Sequence, residues 1–262
     1  MSNSDLLSLD RQDKIAEALE QRGTLTVAQI SELFEVSEAT VRRDLSALAG
    51  RNLIRRMHGG AMYNHNQAVA TSESPIMHRQ KQNAEAKQRI GRTTAQMIRN
   101  GETVLLIGGS TGLAVARELS HHASLTIVTD SLLVANELLR HGVHKVIMLG
   151  GMIDANELAV RGTLSRLILS ELQLDRVIIG TKAISVEWGM SAESAEEAEL
   201  FRSFIKAGHS VILVTDSSKF HQSALVRVAT LEAIDVLVTD AELPADFAAQ
   251  LHDAGVNVRI AE

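Results

Sequence analysis

Beyond Gly101 the chain alternates short, β-rich apolar runs with segments of helical spacing. The runs fall at 103–107, 125–129, 145–149, 177–179, 211–215, 236–239 and 256–260; helices are expected at 113–121, 132–140, 196–207 and, behind Pro244, 245–254. Strand, helix and strand in succession require crossover connections, and crossovers give a mostly parallel sheet covered on both faces. The larger part of the chain reads as an α/β domain.

In open sheets of this kind ligands collect at the carboxyl ends of the strands. The residues that directly follow the apolar runs here are small, polar or charged. Gly108, Gly109, Ser110, Thr111 and Gly112 follow the first run and open a helix. Small residues let backbone N–H groups approach an anion there, and the helix N-terminus adds favourable partial charge, so a phosphate suits the place. Thr129, Asp130 and Ser131 follow the second run, Gly150 and Gly151 the third, Gly180, Thr181 and Lys182 the fourth, and Thr215, Asp216, Ser217, Ser218 and Lys219 the fifth. Lys182 and Lys219 are candidates to neutralise the same anion. Any one cluster is as readily a plain turn; recurrence after five strands points to a shared site.

The stretch from Thr24 to Met62 follows a different pattern. Thr26 and Gln29 have capping-box spacing, and Ile30, Leu33 and Phe34 supply the apolar stripe of a short helix. Glu35, Val36 and Ser37 form a turn; Ser37 stands at an N-cap, and Val41, Leu45 and Leu48 turn one face of a second helix inward. The opposite face carries Thr40, Arg42, Arg43 and Ser46. An α-helix fits the major groove, where an arginine can donate two hydrogen bonds to a guanine edge, discriminating by roughly 1–3 kcal/mol. Arg42 and Arg43 are the candidates for this role.

Behind that helix, Leu53 and Ile54 followed by Arg55, Arg56, Met57, His58, Gly59 and Gly60 read as a basic strand-turn-strand hairpin lying along phosphates. Between Ala39 and Met62 five arginines (42, 43, 51, 55 and 56) face the single acid Asp44, although the whole chain carries a net charge of -6. A confined basic footprint on an acidic chain argues for a duplex-reading module and against a passive nucleic-acid coat. Upstream, Asp10 can cap a helix containing Ile15, Ala18, Leu19 and Arg22, ended by Gly23, which completes a three-helix winged helix-turn-helix module over 1–62. Residues 63–75 are polar and end in Pro75, as a linker does. A helix expected over 76–100 begins the second domain, 76–262, and is placed to couple the two mechanically.

A length of 262 residues at 45% hydrophobic content supports two cores. The chain holds no cysteine, which excludes disulfides and thiolate metal sites and suits a reducing cytosol. The start lacks a basic end before a long apolar run, and no segment reaches the ~20 apolar residues of a membrane helix, so a cytoplasmic protein with no membrane contact is expected.

These blocks together resemble the DeoR/GlpR family of bacterial transcriptional regulators over nearly the whole length. VSEATVRRDLSALAGRNLIRRMHGGAM is similar to its DNA-binding signature, and GGSTGLAVARELS, TIVTDSLLVANEL, VIMLGG, WGMSAESAEEAEL and VILVTDSSKF to successive blocks of its sensor. The resemblance implies a sensor related in fold to ribose-5-phosphate isomerase and the CoA transferases. It further implies double-stranded operator DNA as one partner, a phosphorylated sugar or related anionic metabolite as the effector that relieves repression of a carbohydrate catabolic operon, and a homodimer or homotetramer. Glu197 joins the effector candidates through its block. The chain departs from the family pattern at three places. Ile107 stands where a carboxylate is common, Asp130 where an asparagine is common, and Leu200 and Phe201 stand where Val-Lys is common. The last change removes a lysine, and the three together leave room for an unusual effector. Repression or activation stays open at this level.

An isomerase-like enzyme with an attached DNA module is the alternative, with Asp130, Glu196, Glu197 or Asp216 as a base. Nothing ties them into a catalytic set, so no catalytic residue, cofactor or metal is assigned. Glu197 equally reads as a helix-dipole partner, and Asp216 with Lys219 as a structural turn. His121, His122, His141 and His144 read as surface histidines. Trp188 either covers the ligand or anchors its loop.

Overall fold

The i, i+4, i+7 spacing of Val41, Leu45 and Leu48 puts all three in the interior of the first unit, against Ile15, Leu19 and Ile30. The computed structural model describes residues 11, 12, 14–16, 18, 19, 22–50, 54–57, 59–63 and 75–262, without the side chains of 50, 55 and 63. Two compact units result, Met1–Thr71 and Ser72–Glu262. Asp10, Arg51, His58 and linker residues 64–74 lie outside the described residues.

In the first unit, helix Val27–Phe34 opens on the expected capping box. Thr26 Oγ1 accepts from the Gln29 N–H at 3.2 Å while Gln29 Oε1 accepts from the Thr26 N–H at 2.9 Å, contributing about 1 kcal/mol. Glu35 ends the helix in the left-handed region, φ 52°. Ser31 then pins the turn, its carbonyl accepting from the Val36 N–H and its hydroxyl donating to the Val36 carbonyl. Helix Glu38–Gly50 follows, with Ser37 Oγ accepting from the Thr40 N–H at 3.3 Å. Strands β1 (Thr24–Thr26), β2 (Ile54–Met57) and β3 (Gly60–Tyr63) form an antiparallel sheet in the order β1-β3-β2. The sequence did not show β1, which is only three residues long. A Cβ on Gly60 would meet the Leu25 carbonyl oxygen at 2.4 Å, so glycine is what lets β1 and β3 close.

The second unit holds the seven strands expected from the sequence: β4 (Thr103–Leu106), β5 (Thr126–Thr129), β6 (Lys145–Met148), β9 (Leu174–Ile179), β12 (Gly208–Val214), β14 (Val236–Thr239) and β15 (Asn257–Ile260). They form one parallel sheet in the order β15-β14-β12-β9-β4-β5-β6. Alternation along β4 serves both faces. Val104 and Leu106 pack with Ile90, Val115 and Leu138 on one side; Leu105 and Ile107 join Phe204 and Phe247 on the other. Each fully buried side chain of this size stabilises by roughly 1.5–3 kcal/mol. The chain runs outward from β4 through β5 to β6, then returns to lay β9 on the other side of β4. The topological switch point, where the ends of adjacent strands part into a crevice, therefore lies between β4 and β9.

Three features differ from the sequence expectation. The helix expected over 76–100 is two, Ile76–Arg79 and Ala84–Ala95, because residues 80–83 turn and Asn83 adopts φ 49°. The helix expected from 113 begins at Ser110. Smaller elements surround the main sheet: a hairpin of β7 (Met152–Asp154) and β8 (Ala159–Arg161), helix Thr163–Ser170, and an antiparallel sheet of β10 (Ala183–Ser185), β11 (Gly189–Ala192) and β13 (Val226–Ala229).

Candidate functional site

In the first unit the helix Glu38–Gly50 turns Arg42, Arg43 and Ser46 outward. Arg42 Nη2 lies 2.8 Å from Glu38 Oε2, but both side chains are more than half exposed, and a pair so placed contributes little and yields readily to another anion. Arg43 makes no ion pair among the described residues. Ser46 Oγ donates to the Arg42 carbonyl at 2.7 Å and accepts from Arg56 Nη1 at 3.0 Å, so β2 presents Arg56 beside the helix rather than apart from it. Thr40 is half-buried and Ser37 is spent on the cap. The one acid between Ala39 and Met62, Asp44, is buried and held by Arg11 Nε at 2.7 Å and Gln12 Nε2 at 3.0 Å. That hydrogen bond holds the Arg11 guanidinium above its usual pKa. Asp44 thus ties the helix to the segment upstream of β1 that carries Arg11 and Gln12, and adds no charge to the exposed face with Arg42 and Arg43. His58 and the side chain of Arg55 lie outside the described residues.

In the second unit a cleft of about 740 Å³, its open mouth included, lies over the carboxyl ends of β4, β9 and β12, at the switch point. Gly108, Gly109, Ser110, Thr111 and Gly112 form one wall. The helix that Ser110 begins has no side-chain cap, and Gly109 at its N-cap takes φ 106°, so the first amides face the cleft as an anion seat does. Thr181, Lys182, Glu197, Asp216 and Lys219 also line it.

Other candidates are placed differently. Thr129 and Ser131 are fully buried; Thr129 Oγ1 accepts from the Ser131 N–H, and Ser131 Oγ caps helix Leu132–His141 at the Val134 N–H. Gly150 and Gly151 are absent from the lining. Gly150 gives its carbonyl to Ser165 Oγ, and a Cβ on Gly151 would meet the Arg161 carbonyl oxygen at 2.2 Å. Asp130 reaches the lining without an exposed surface: Oδ1 accepts from the Gly108 N–H at 2.7 Å and Oδ2 from Arg161 Nη1 at 2.7 Å. Burial pushes its carboxyl above the usual range, against the opposing pull of Arg161 and the Gly108 amide. Asp130 braces the glycine loop and does not project a free charge at the ligand.

The sequence patterns missed the third wall. Arg79, Gln82, Asn83 and Lys87 reach in from the broken helix, and Glu157 and Arg161 from the hairpin β7–β8. Arg79 pairs with Glu157. Lys87 Nζ donates to the carbonyls of Arg79 at 2.9 Å and Gln82 at 2.5 Å and lies 3.6 Å from Asp216 Oδ2. Burial lowers the Lys87 pKa despite the Asp216 charge. For Asp216 burial works upward, but hydrogen bonds from Ser218 and Asn83 and the Lys87 charge prevail and hold its carboxyl below the usual range. Lys182 lies 3.0 Å from Glu193 Oε2 and 3.1 Å from Glu197 Oε1. The lining thus sets five cations (Arg79, Lys87, Arg161, Lys182 and Lys219) against four carboxylates (Asp130, Glu157, Glu197 and Asp216). Ile107, Phe201 and Val214 add an apolar patch.

Trp188 is outside this lining; the Arg227 guanidinium lies 4.1 Å over its ring, and the loop anchor is the role it fills. His122 and His144 are half-buried, not surface residues as expected, with Nε2 against the carbonyls of Ile98 and Leu119. Among the described residues no cluster of metal-binding side chains occurs and no helix is long and apolar enough to cross a membrane.

Residues 82–241 match the family model for the DeoR C terminal sensor domain, and residues 11–67 that for the DeoR-like helix-turn-helix domain. The chain is 31% identical over 257 residues to the HTH-type transcriptional regulator GolR of Listeria innocua, covering 98% of this chain and all of that one. It is 32% identical over 250 residues to the glycerol-3-phosphate regulon repressor of Escherichia coli, covering 95% of this chain and 98% of the relative. Among solved structures, ribose 5 phosphate isomerase A from Neisseria gonorrhoeae aligns at 15% identity and a TM-score of 0.38, over 51% of this chain and 52% of that one.

Proposed function

The chain belongs to the DeoR family of transcriptional regulators, and from that premise we propose that it represses a carbohydrate catabolic operon in the cytoplasm and releases it on binding a phosphorylated sugar or related anionic metabolite. The observation that carries this is the cleft at the switch point, where an uncapped helix N-terminus and five cationic side chains converge. That chemistry suits a small anion with hydroxyls, and the glycerol-3-phosphate repressor is similar to this chain over nearly its whole length. The module over 1–62 is the DNA reader, 63–75 the linker and 76–262 the sensor. Gly108 to Gly112, Thr181, Lys182, Glu197, Asp216 and Lys219 form the effector site, with Asp130 as its brace. Arg42 and Arg43 read base edges; Ser46 and Arg56 set the helix against the wing, and Arg55 and His58 are the candidates for phosphate contact. Two or four subunits would grip repeated half-sites.

Effector control follows from the third wall. Arg79, Gln82, Asn83 and Lys87 come directly after the linker, so a ligand that displaces them acts on the segment joining sensor to reader. A coupling of about 1–3 kcal/mol changes operator affinity roughly 5- to 150-fold. As an enzyme the cleft is poorly equipped, because each of its four acids is engaged: Asp130 by Arg161 and Gly108, Glu157 by Arg79, Glu197 by Lys182, and Asp216 by Asn83, Ser218 and Lys87.

Fluorescence anisotropy tests the proposal. The full chain is titrated into labelled duplexes from the promoters of neighbouring carbohydrate genes, with and without a panel of sugar phosphates. One duplex is expected to bind over random DNA and to be released by one compound that stays chemically unchanged. Binding with no preference among duplexes, or turnover of a panel compound, would overturn it.

A further inference from the structure

β7 exposes apolar side chains on both of its faces, Met152 at 76% and Ile153 at 60%. A strand that belonged to the monomer core would bury at least one face. Beside it, helix Thr163–Ser170 buries Ser165 and Leu169 but leaves Leu164 and Leu167 each 59% exposed and Ile168 36%. The two elements adjoin: a Cβ on Gly150, two residues before Met152, would touch Ile168 at 3.6 Å and Leu164 at 3.9 Å. Ile147, 40% exposed, continues the surface onto β6, the last strand of the main sheet. The nearest charge on the helix, Arg166, is turned to Glu199.

At roughly 100 Å² apiece these six side chains expose on the order of 600 Å² of apolar surface around the β7–β8 hairpin, with Met152 and Ile153 on its opposite faces. That lies at the upper end of what a monomer exposes and approaches the ~800 Å² per partner of a stable interface. An apolar surface can pack against its own copy across a two-fold axis, whereas a nucleic acid would need a cluster of cations here. We propose that a second copy of this chain covers this surface, patch to patch, with the β7–β8 hairpin as its central element.

The register of that hairpin gives the contact a consequence. Met152 pairs directly with Arg161 across the two strands, and Arg161 is the side chain that holds Asp130 at the back of the cleft. Glu157, in the loop of the same hairpin, pairs with Arg79 in the cleft wall. Subunit contact and effector site therefore share one two-stranded element, so a ligand that moves Arg161 or Glu157 also moves the subunit boundary. The proposal rests on the regulator reading for its purpose, but its test uses neither DNA nor effector, and either can fail alone.

Because the chain has no cysteine, single Met152→Cys, Ile153→Cys, Leu164→Cys and Leu167→Cys variants of the full chain each carry one thiol. Mild oxidation is expected to yield a covalent dimer from at least one of them, while Leu225→Cys, 79% exposed beside β13, gives none. Leu164→Asp/Leu167→Asp is expected to sediment with half the wild-type mass or less and to keep the wild-type far-ultraviolet circular dichroism. A monomeric wild type, cross-linking no better in the patch than at Leu225, or a folded double variant of unchanged mass would overturn the proposal. Should the double variant not fold, the cysteine comparison decides alone.

Discussion

The Lys87 ammonium reaches across the second unit to lie 3.6 Å from the Asp216 carboxylate, joining the first long helix after the linker to the end of β12. It also donates to the carbonyls of Arg79 and Gln82, so one buried charge closes the turn at 80–83 and fixes it to the cleft. Removing one partner of such a pair leaves the other buried and uncompensated. Lys87→Met is expected to cost about 3 kcal/mol, read by urea denaturation of the full chain. Operator affinity at saturating fold should persist, because the residue is in the sensor, while effector release should be lost. A stability change below about 0.5 kcal/mol would show that the pair does not hold the turn.

The same pair sets a pH dependence. The folded Asp216 pKa lies below its unfolded value, so the stability it contributes is fully present above the ordinary carboxylate range and is lost as pH falls through the folded value. Urea midpoints measured downward from pH 6 should fall more steeply for the wild type than for Asp216→Asn, which has no carboxylate to protonate there. Parallel acid limbs for the two proteins would count against the assignment.

How much was visible in the sequence divides along physical lines. The central strands could be read because parallel strands inside a sheet are buried on both faces and show as unbroken apolar runs; Val177, Ile178 and Ile179 are fully buried, whereas the edge strands β6 and β15 are partly exposed. The capping residues Thr26 and Ser37 act within three positions, and local chemistry shows locally. The antiparallel sheet of β10, β11 and β13 was illegible because strands of three or four residues, two of them rich in Gly, Ala and Ser, are too short to show a period. Half of the cleft was hidden for a different reason. Arg79 pairs with Glu157 from 78 residues away and Lys87 reaches Asp216 at the end of β12 from helix Ala84–Ala95, while Arg161 comes from a hairpin no pattern announced. Asp130 was legible as a strand-end acid, but its pairing with Arg161, 31 residues on, changes its meaning from ligand contact to brace.

That brace is testable in itself. Asn at position 130 retains an oxygen for the Gly108 N–H but gives up the charge that burial disfavours. Asp130→Asn should therefore change stability by less than about 1.5 kcal/mol and leave Arg161 without its carboxylate partner. With one negative charge removed from the lining, inorganic phosphate should bind more tightly by calorimetry. Weaker phosphate binding by the folded variant would show that holding the glycine loop requires the Asp130 charge and its bond to Arg161, and not only an oxygen for the Gly108 N–H.

On the reader, Arg43 and Arg56 should separate by what they touch. Arg43 is exposed without an ion pair among the described residues, whereas Arg56 is anchored to Ser46 on the same helix that Arg43 occupies. Arg43→Ala is expected to cost about 1–3 kcal/mol on the preferred duplex and much less on random DNA. Arg56→Ala should weaken both alike and lower the dependence on salt. Equal losses on both duplexes for Arg43→Ala would remove it from base reading.

Gly112 offers the sharpest test of the anion seat, because it can be altered by a single methyl group. The Cβ of an alanine there would lie 2.1 Å from the Ile107 carbonyl oxygen, and that oxygen belongs to main chain held at the end of β4, where the Ile107 amide is itself bonded to the Ile178 carbonyl. Neither atom can swing aside as a side chain would, so the first turn of helix Ser110–Glu118 must shift. A displacement on the order of 1 Å is enough to misalign amides aimed at an anion. Gly112→Ala is expected to need at least about tenfold more effector to release operator DNA, since helix-terminal donors act only at close range, while its operator affinity without effector stays near wild type. The check is the anisotropy titration with the releasing compound, run beside circular dichroism to establish that the variant is folded. A folded variant that releases DNA at the wild-type concentration would place the anion elsewhere in the cleft, away from the glycine loop and toward Lys182 and Lys219.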